Sequence, residues 1–177
     1  MTPTVAVATI IPCAYIVGAI PFGWLIGMSR GVDVRKAGSG NIGATNVWRT
    51  VGKGWGVLAF VCDFLKGLAA PLVARAIAPD LEYLPVAAGA AAVAGHMWTC
   101  FMRFKGGKGV ATAFGMLVAI VPWVSLAALA IFAATVYATH YISASSALAA
   151  LFMGVAVWFA VPGLNPVPPP PGVCALV

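Results

Sequence analysis

An all-α bundle of membrane-crossing helices is the fold class this sequence predicts, and three observations predict it. Of its 177 residues, 62% are hydrophobic and 8% are charged, whereas a soluble domain carries roughly 25% charged residues. With so little charge, the outer surface must face lipid. Apolar stretches long enough to span a bilayer recur along the chain. Eight of the ten Lys and Arg residues fall in two polar loops, namely Arg30, Arg35, Lys36, Arg49 and Lys53, then Arg103, Lys105 and Lys108. Cations gathered in short loops between apolar spans are what the positive-inside rule describes. About six to seven spans are expected, two of them short or re-entrant around Pro122. They would form one domain over 1–161, followed by a proline-rich tail over 162–177. The net charge of +6 is therefore a topology signal, and no nucleic-acid partner is expected.

Taken in order, Val5 to Gly27 is long enough for one helical crossing of ~30 Å, with Pro12 and Pro21 as points where it can kink. The first cations follow this span, which places the N-terminus outside and the loop around Gly38 in the cytoplasm. Gly54 to Ala78 runs back outward and carries Asp63 and Lys66 inside the apolar stretch. Such charges cost ~3 kcal/mol each on insertion scales. Three residues apart, they share a helix face and can neutralise each other. Two readings stand: an ion pair that orients the loop above it, or direct contact with substrate.

Pro79-Asp80-Leu81-Glu82 forms a short acidic turn. Leu84 to Phe101 is a third span, rich in Ala and Gly as closely packed membrane helices often are, with His96 near its cytoplasmic end. A lone histidine there is either a structural hydrogen-bonder or a base. Val110 to Thr139 is too long for one upright helix and too short for two complete ones, and Pro122 sits near its middle. Dividing it there into two short or re-entrant helices returns the serines of Tyr141-Ile142-Ser143-Ala144-Ser145-Ser146 to the cytoplasmic side; a single crossing would leave them outside. Ala147 to Val161 is a last span, and the prolines that follow read as a polyproline-like strand.

The chemistry lies in the loops. Gly38-Ser39-Gly40-Asn41-Ile42-Gly43 has three glycines in six positions, so its backbone can bend and aim N–H groups at one anion. Phe104-Lys105-Gly106-Gly107-Lys108-Gly109 repeats that character with explicit cations. The spacing Gly38-x-Gly40-x-x-Gly43 also fits a dinucleotide fingerprint, but no buried strand precedes it and Asp63 lies in an apolar helix. The second run is no P-loop, because Gly109 follows Lys108 where Ser or Thr is required. Cys13, Cys62, Cys100 and Cys174 form no CxxC pair, and His96 and His140 lack metal-ligand spacing, so neither a metal nor a cofactor is expected.

These residues resemble a family. Ser39 to Asn46 with Arg49 and Gly52, then Asp63-x-x-Lys66-Gly67, is similar to the first signature of the PlsY family of bacterial acyl-phosphate:glycerol-3-phosphate acyltransferases. Gly95-His96 followed by Phe104 to Thr112 is similar to the second, and Tyr141-x-Ser143-x-x-Ser146 to the third. Together the matches cover about residues 10 to 150 in the right order.

The resemblance implies a multi-pass enzyme of the bacterial inner membrane with its site on the cytoplasmic face. It would move a fatty acyl group from acyl-phosphate to the 1-hydroxyl of glycerol-3-phosphate, giving lysophosphatidate and phosphate. Membrane lipids and the enzyme that makes acyl-phosphate are the partners it suggests. Mapped by motif, Ser39, Lys108 and His96 are the catalytic candidates. Gly38, Gly40, Asn41, Gly43, Asn46, Arg49, Lys105, Gly106, Gly107, Gly109, Ser143 and Ser146 are the phosphate- and substrate-binding ones, and Asp63 and Lys66 orient the site. The proton of the attacking hydroxyl would go to a substrate phosphate or to His96.

Relatives usually close with a further span and a His-Arg-x-Asn-type segment, whereas no Lys, Arg or His follows His140 here. A truncated, inactive family member is the expectation that departure raises. A membrane transporter of a phosphorylated solute is the competing class, although the two glycine loops do not read as an inverted repeat.

Overall fold

The computed structural model describes residues 2–160, all helix, turn and loop with no strand among them. Four helical stretches are long and apolar enough to cross a membrane, Pro3–Ser29, Lys53–Ile77, Leu84–Met102 and Pro122–Thr139, and two shorter apolar helices accompany them. The proline-rich tail expected over 162–177 lies outside the described residues. The chain forms two compact units, one over Met1–Ala119 and one that begins at Ile120.

The first unit opens with α1 (Pro3–Ala19), which Thr2 caps and Pro3 starts, the two positions where those residues suit a helix. Pro12 lies inside α1 without ending it, whereas Pro21 stops the span and α2 (Phe22–Ser29) begins beyond it. The first crossing is thus two helices rather than one. The break leaves backbone carbonyls without helical partners, and distant side chains supply donors. Thr99 Oγ1 donates to Ala19 O at 2.6 Å, and Lys66 Nζ donates to Ile20 O at 2.8 Å. A proline break in an apolar environment needs such replacements, because no water is there to satisfy the freed groups.

α3 (Ala44–Thr50) follows the polar loop, α4 (Lys53–Ile77) runs the length of the unit, and α5 (Leu84–Met97) returns. A short 3₁₀ turn, Cys100–Met102, leads to α6 (Val110–Ile120). Small residues let these helices touch. A Cβ on Gly18 would strike the Ala92 backbone, and one on Gly95 would strike Tyr15 O, so α1 and α5 interlock reciprocally. Gly67 and Gly115 do the same for α4 and α6, meeting Thr112 O and Phe64 O. Between lipid-solvated helices, close backbone approach of this kind supplies the packing energy. The core among α1, α4 and α5 is accordingly alanine-rich, with Ala6, Ala14, Ala70, Ala74, Ala88 and Ala92 around Ile10 and Leu84.

The second unit contains α7 (Pro122–Thr139) and α8 (Ile142–Ala160), which pack on each other. Pro122 interrupts the long apolar stretch where expected, with α6 ending at Ile120 and Pro122 the first residue of α7. Of the two short or re-entrant helices expected there, however, only α6 is short: α7 has 18 residues and is apolar enough to cross a membrane, because the break falls before the midpoint of the stretch and leaves most of its length to α7. The last helix begins at Ile142 rather than near Ala147, so Ser143 and Ser146 stand in its first turns and not in a loop. Their side chains lie outside the described residues.

Candidate active site

Asn46 organises the glycine-rich loop. It is 3% exposed, and its Nδ2 donates to Val34 O at 2.8 Å, Asn41 O at 2.8 Å and Ala37 O at 3.1 Å. Its Oδ1 accepts from Ser39 N–H at 2.9 Å. One amide thus satisfies four backbone groups of a chain that otherwise has no ladder. Gly38, at φ +59°, passes so close that a Cβ would strike Asn46 Oδ1. Asn41 completes the turn by accepting Gly43 N–H at 2.8 Å on its side-chain oxygen.

These bonds correct the expectation of a backbone anion nest. Ser39 N–H and Gly43 N–H are taken by Asn46 and Asn41, and Gly40 N–H donates to Ala37 O at 3.1 Å. These three donors are therefore engaged within the loop. Its glycines give tight passage, and side chains rather than these amides face outward. Asn46 is the hub that holds the loop, with its polar atoms already engaged.

The second glycine run is equally structural. Gly106 N–H and Gly107 N–H donate to Met97 O and His96 O, both at 3.0 Å, satisfying carbonyls at the end of α5. Side chains at either glycine would strike those carbonyls or the His96 ring. The loop therefore folds back over the helix end. Lys105 comes to one side of it and Lys108 to the other.

On the Lys108 side is a cavity of about 350 Å³. Its walls bring together Ser39, Asn41, Gly43, Asn46 and Arg49 from the first signature, Asp63 from α4, His96 from α5, and Lys108 and Gly109 at the start of α6. The start of α6 faces this cavity, and a helix N-terminus favours negative charge. His96 is 5% exposed, with Nδ1 at 3.4 Å from Asp63 Oδ1 and the other side of its ring against Gly107. Asp63 Oδ1 also lies 2.9 Å from Lys66 Nζ, and both residues are buried. Lys66 turns away from the cavity toward Ile20 O and the Phe22 ring. The pair therefore joins the α1–α2 break to the histidine, while Asp63 itself also lines the cavity.

On the Lys105 side is a second hollow, of about 580 Å³, which shares Ser39 and Asn41 with the first and adds Gly40 and Gly106. Two of its residues, Arg35 and Arg103, read from sequence only as topology markers. Arg35 grips Asp33 with two hydrogen bonds, at 2.9 and 2.8 Å. That guanidinium holds the Asp33 carboxyl down at a pKa of about 2. The sequence signal for it was the isolated Asp33-x-Arg35 spacing. A third depression, of about 430 Å³ and largely apolar, shares Ala44, Thr45, Arg49 and Phe60 with the first cavity and extends along Trp48, Gly56 and Val57.

No group of three or more metal-ligating side chains occurs among the described residues. Of the expected site residues, only the serines of α8 are not placed by what the structure describes.

A family model described as glycerol-3-phosphate acyltransferase matches residues 8–177. A glycerol-3-phosphate acyltransferase of Desulforudis audaxviator is 47% identical over 82% of this chain and 73% of its own. One of Geotalea daltonii is 51% identical over 77% and 70%. Among solved structures, the integral membrane glycerol 3-phosphate acyltransferase PlsY in its glycerol 3-phosphate form aligns at a TM-score of 0.78 with 39% identity. It covers 86% of this chain and 76% of that one. Its lysophosphatidic acid form aligns at 0.77.

Proposed function

Since the chain belongs to the glycerol-3-phosphate acyltransferase family, we propose that it transfers a fatty acyl group from acyl-phosphate to the 1-hydroxyl of glycerol-3-phosphate. The observation that carries this reading is the cavity on which Ser39, Arg49, His96 and Lys108 converge, which shares Ala44, Thr45, Arg49 and Phe60 with the apolar depression along Trp48. Both substrates carry phosphate and one carries an alkyl chain. A cationic cavity beside an apolar furrow fits that pair.

In the reaction, the 1-hydroxyl oxygen attacks the acyl carbonyl carbon. The bond from that carbon to the bridging phosphate oxygen breaks, and phosphate leaves with the electron pair. The hydroxyl proton passes to a phosphate oxygen, so lysophosphatidate and inorganic phosphate result. Acyl-phosphate is already an activated anhydride, so no acyl-enzyme is needed. The protein's share is to hold two anions together against their repulsion and to stabilise charge as the phosphate departs. Arg49 can grip two oxygens and Lys108 acts as a point charge. Ser39 and Asn41 add hydrogen bonds from the wall, and the family resemblance offers Ser143 and Ser146 as further phosphate-binding candidates. His96, wedged between Asp63 and Gly107, serves as a positioning residue for the Lys108 loop.

The site faces the cytoplasm at the bacterial inner membrane with the N-terminus outside, as the cation distribution indicates. The enzyme that makes acyl-phosphate is the partner this placement favours. Incubating the purified full chain with acyl-phosphate and glycerol-3-phosphate tests the reaction. Lysophosphatidate and phosphate should appear together, and solute flux into vesicles without chemistry would replace the enzyme by a transporter. Cysteines at positions 39 and 143 should be labelled from the same face, and opposite-face labelling would remove the α8 serines from the site.

A further inference from the structure

We propose that Thr99, which stands on the wall of neither cavity, is a positioning residue for acyl transfer: it ties the turn that carries Lys108 to a carbonyl left free by the helix break at Pro21. The proposal rests on the reading of the Lys108 side as the reaction centre. Thr99 is fully buried, and its hydroxyl both donates and accepts. Its Oγ1 donates to Ala19 O at 2.6 Å and accepts Phe101 N–H at 3.3 Å. Its carbonyl accepts Met102 N–H at 3.1 Å and Phe104 N–H at 2.9 Å. One residue thus bonds to the last residue of α1 and to three residues of the turn that follows α5. Tyr15 OH adds a second tie from α1, donating to Trp98 O at 2.6 Å.

The turn needs such a clamp. Arg103 and Phe104 hold φ of 53° and 60° in succession, a left-handed conformation that residues with a Cβ disfavour. Strained backbone of this kind persists where its surroundings hold it. The bond from Phe104 N–H to Thr99 O closes the turn. Lys105 N–H, Gly106 N–H and Gly107 N–H then donate to Met102 O, Met97 O and His96 O, each at 3.0 Å. Lys108 is the next residue. Its place is therefore set by the end of α5, and the end of α5 is set against α1 by Thr99 and Tyr15.

The same break holds other parts of the cavity. Lys66 Nζ donates to Ile20 O, and its partner Asp63 stands on the cavity wall. Beyond Pro21, Gly23 packs so closely on the loop of the first signature that a Cβ would strike Ile42 O. Residues 19 to 23 therefore join three elements far apart in sequence, and Thr99 brings the Lys108 turn to that junction. In Thr99→Val a methyl replaces the hydroxyl. A carbon approaches a carbonyl oxygen no closer than about 3.3 Å, so the 2.6 Å contact opens by about 0.7 Å and Ala19 O loses its donor. A shift of that size matters at Lys108, whose charge must meet the phosphate as it departs.

The test compares Thr99→Val, Thr99→Ala and Thr99→Ser with the parent full chain in detergent, by hydrogen exchange with mass spectrometry and by steady-state kinetics with acyl-phosphate and glycerol-3-phosphate. Val and Ala should each raise exchange at the Phe104, Gly106 and Gly107 amides at least about fivefold. The Ser39 and Gly43 amides of the other loop should exchange as in the parent, and Ser should restore the parent pattern throughout. Ala crowds nothing, so it carries the test if the Val variant does not fold. In turnover, Thr99→Val should lower kcat at least about fivefold in the parent chain but less than about twofold when Lys108 is already alanine, because a residue that acts through Lys108 then has nothing left to place. Faster exchange in both loops, with an equal loss of kcat in both backgrounds, would make Thr99 a structural residue and overturn the proposal. Unchanged exchange at Phe104, Gly106 and Gly107 would overturn it too. Exchange is read without turnover, so a parent chain that transfers no acyl groups sinks the proposed reaction, while these amides still decide whether Thr99 holds the turn.

Discussion

Replacing Asn46 by Ala removes the amide that satisfies Val34 O, Ala37 O, Asn41 O and Ser39 N–H. Each neutral hydrogen bond contributes a net ~1 kcal/mol, and a buried group left unpaired costs ~1–3 kcal/mol. Two amide protons serve three carbonyls, so those bonds are not all at full strength, and Val34 is wholly buried. A local loss of about 3 kcal/mol follows, which raises the open population of the loop ~100-fold at ~1.4 kcal/mol per tenfold. The loop carries its own reporters, because Arg35 and Lys36 are trypsin sites within it. Native-state digestion followed by mass spectrometry should show cleavage after Arg35 and Lys36 rising roughly 100-fold, provided opening is fast relative to cutting. Cleavage after Arg75, at the far end of α4, should stay as it was. Ser39 and Arg49 would lose their registration, so turnover should fall with it. Cleavage that rises less than threefold, with normal phosphate release, would refute Asn46 as the hub and return its side chain to direct substrate contact.

Lys108→Ala should lower turnover at least tenfold, on the order of 1.4 kcal/mol of transition-state stabilisation; near-normal phosphate release would remove Lys108 from the site. Lys66→Met strands the buried Asp63 carboxylate, and breaking a buried pair costs ~3–5 kcal/mol. The folded yield after detergent extraction should collapse, and adding Asp63→Asn should recover much of it; no recovery would mean that Lys66 acts through Ile20 O alone. Asp33 has its pKa depressed to about 2 from an ordinary 3.8. The stabilisation from its pairing with Arg35 is therefore present above the ordinary value and lost only as pH falls through about 2. The activity ratio of Asp33→Asn to the parent chain should stay flat from about pH 5 to 9, and a slope in that window would show that Asp33 titrates there.

Composition and spacing point to the helical membrane class, the break at Pro122 and the pairing of Asp63 with Lys66, and the family resemblance points to most residues of the cavity. These are legible because they depend on local quantities: how much charge a stretch carries, which residues lack an N–H, and which positions share a helix face. The division of labour within the loops was not legible in this way. Asn46 and Arg49 look alike as polar members of one motif. Only the fold turns Asn46 inward onto four backbone groups and leaves Arg49 on the cavity wall. The glycine amides read as an anion nest until the loop is seen to satisfy Ser39, Gly40 and Gly43 within itself. Arg35 and Arg103 read as topology markers until residues nearly seventy positions apart are seen to border one hollow. Sequence records which groups need a partner. Tertiary structure decides which partner each one finds, because a buried donor is satisfied by whatever acceptor packing brings within about 3 Å.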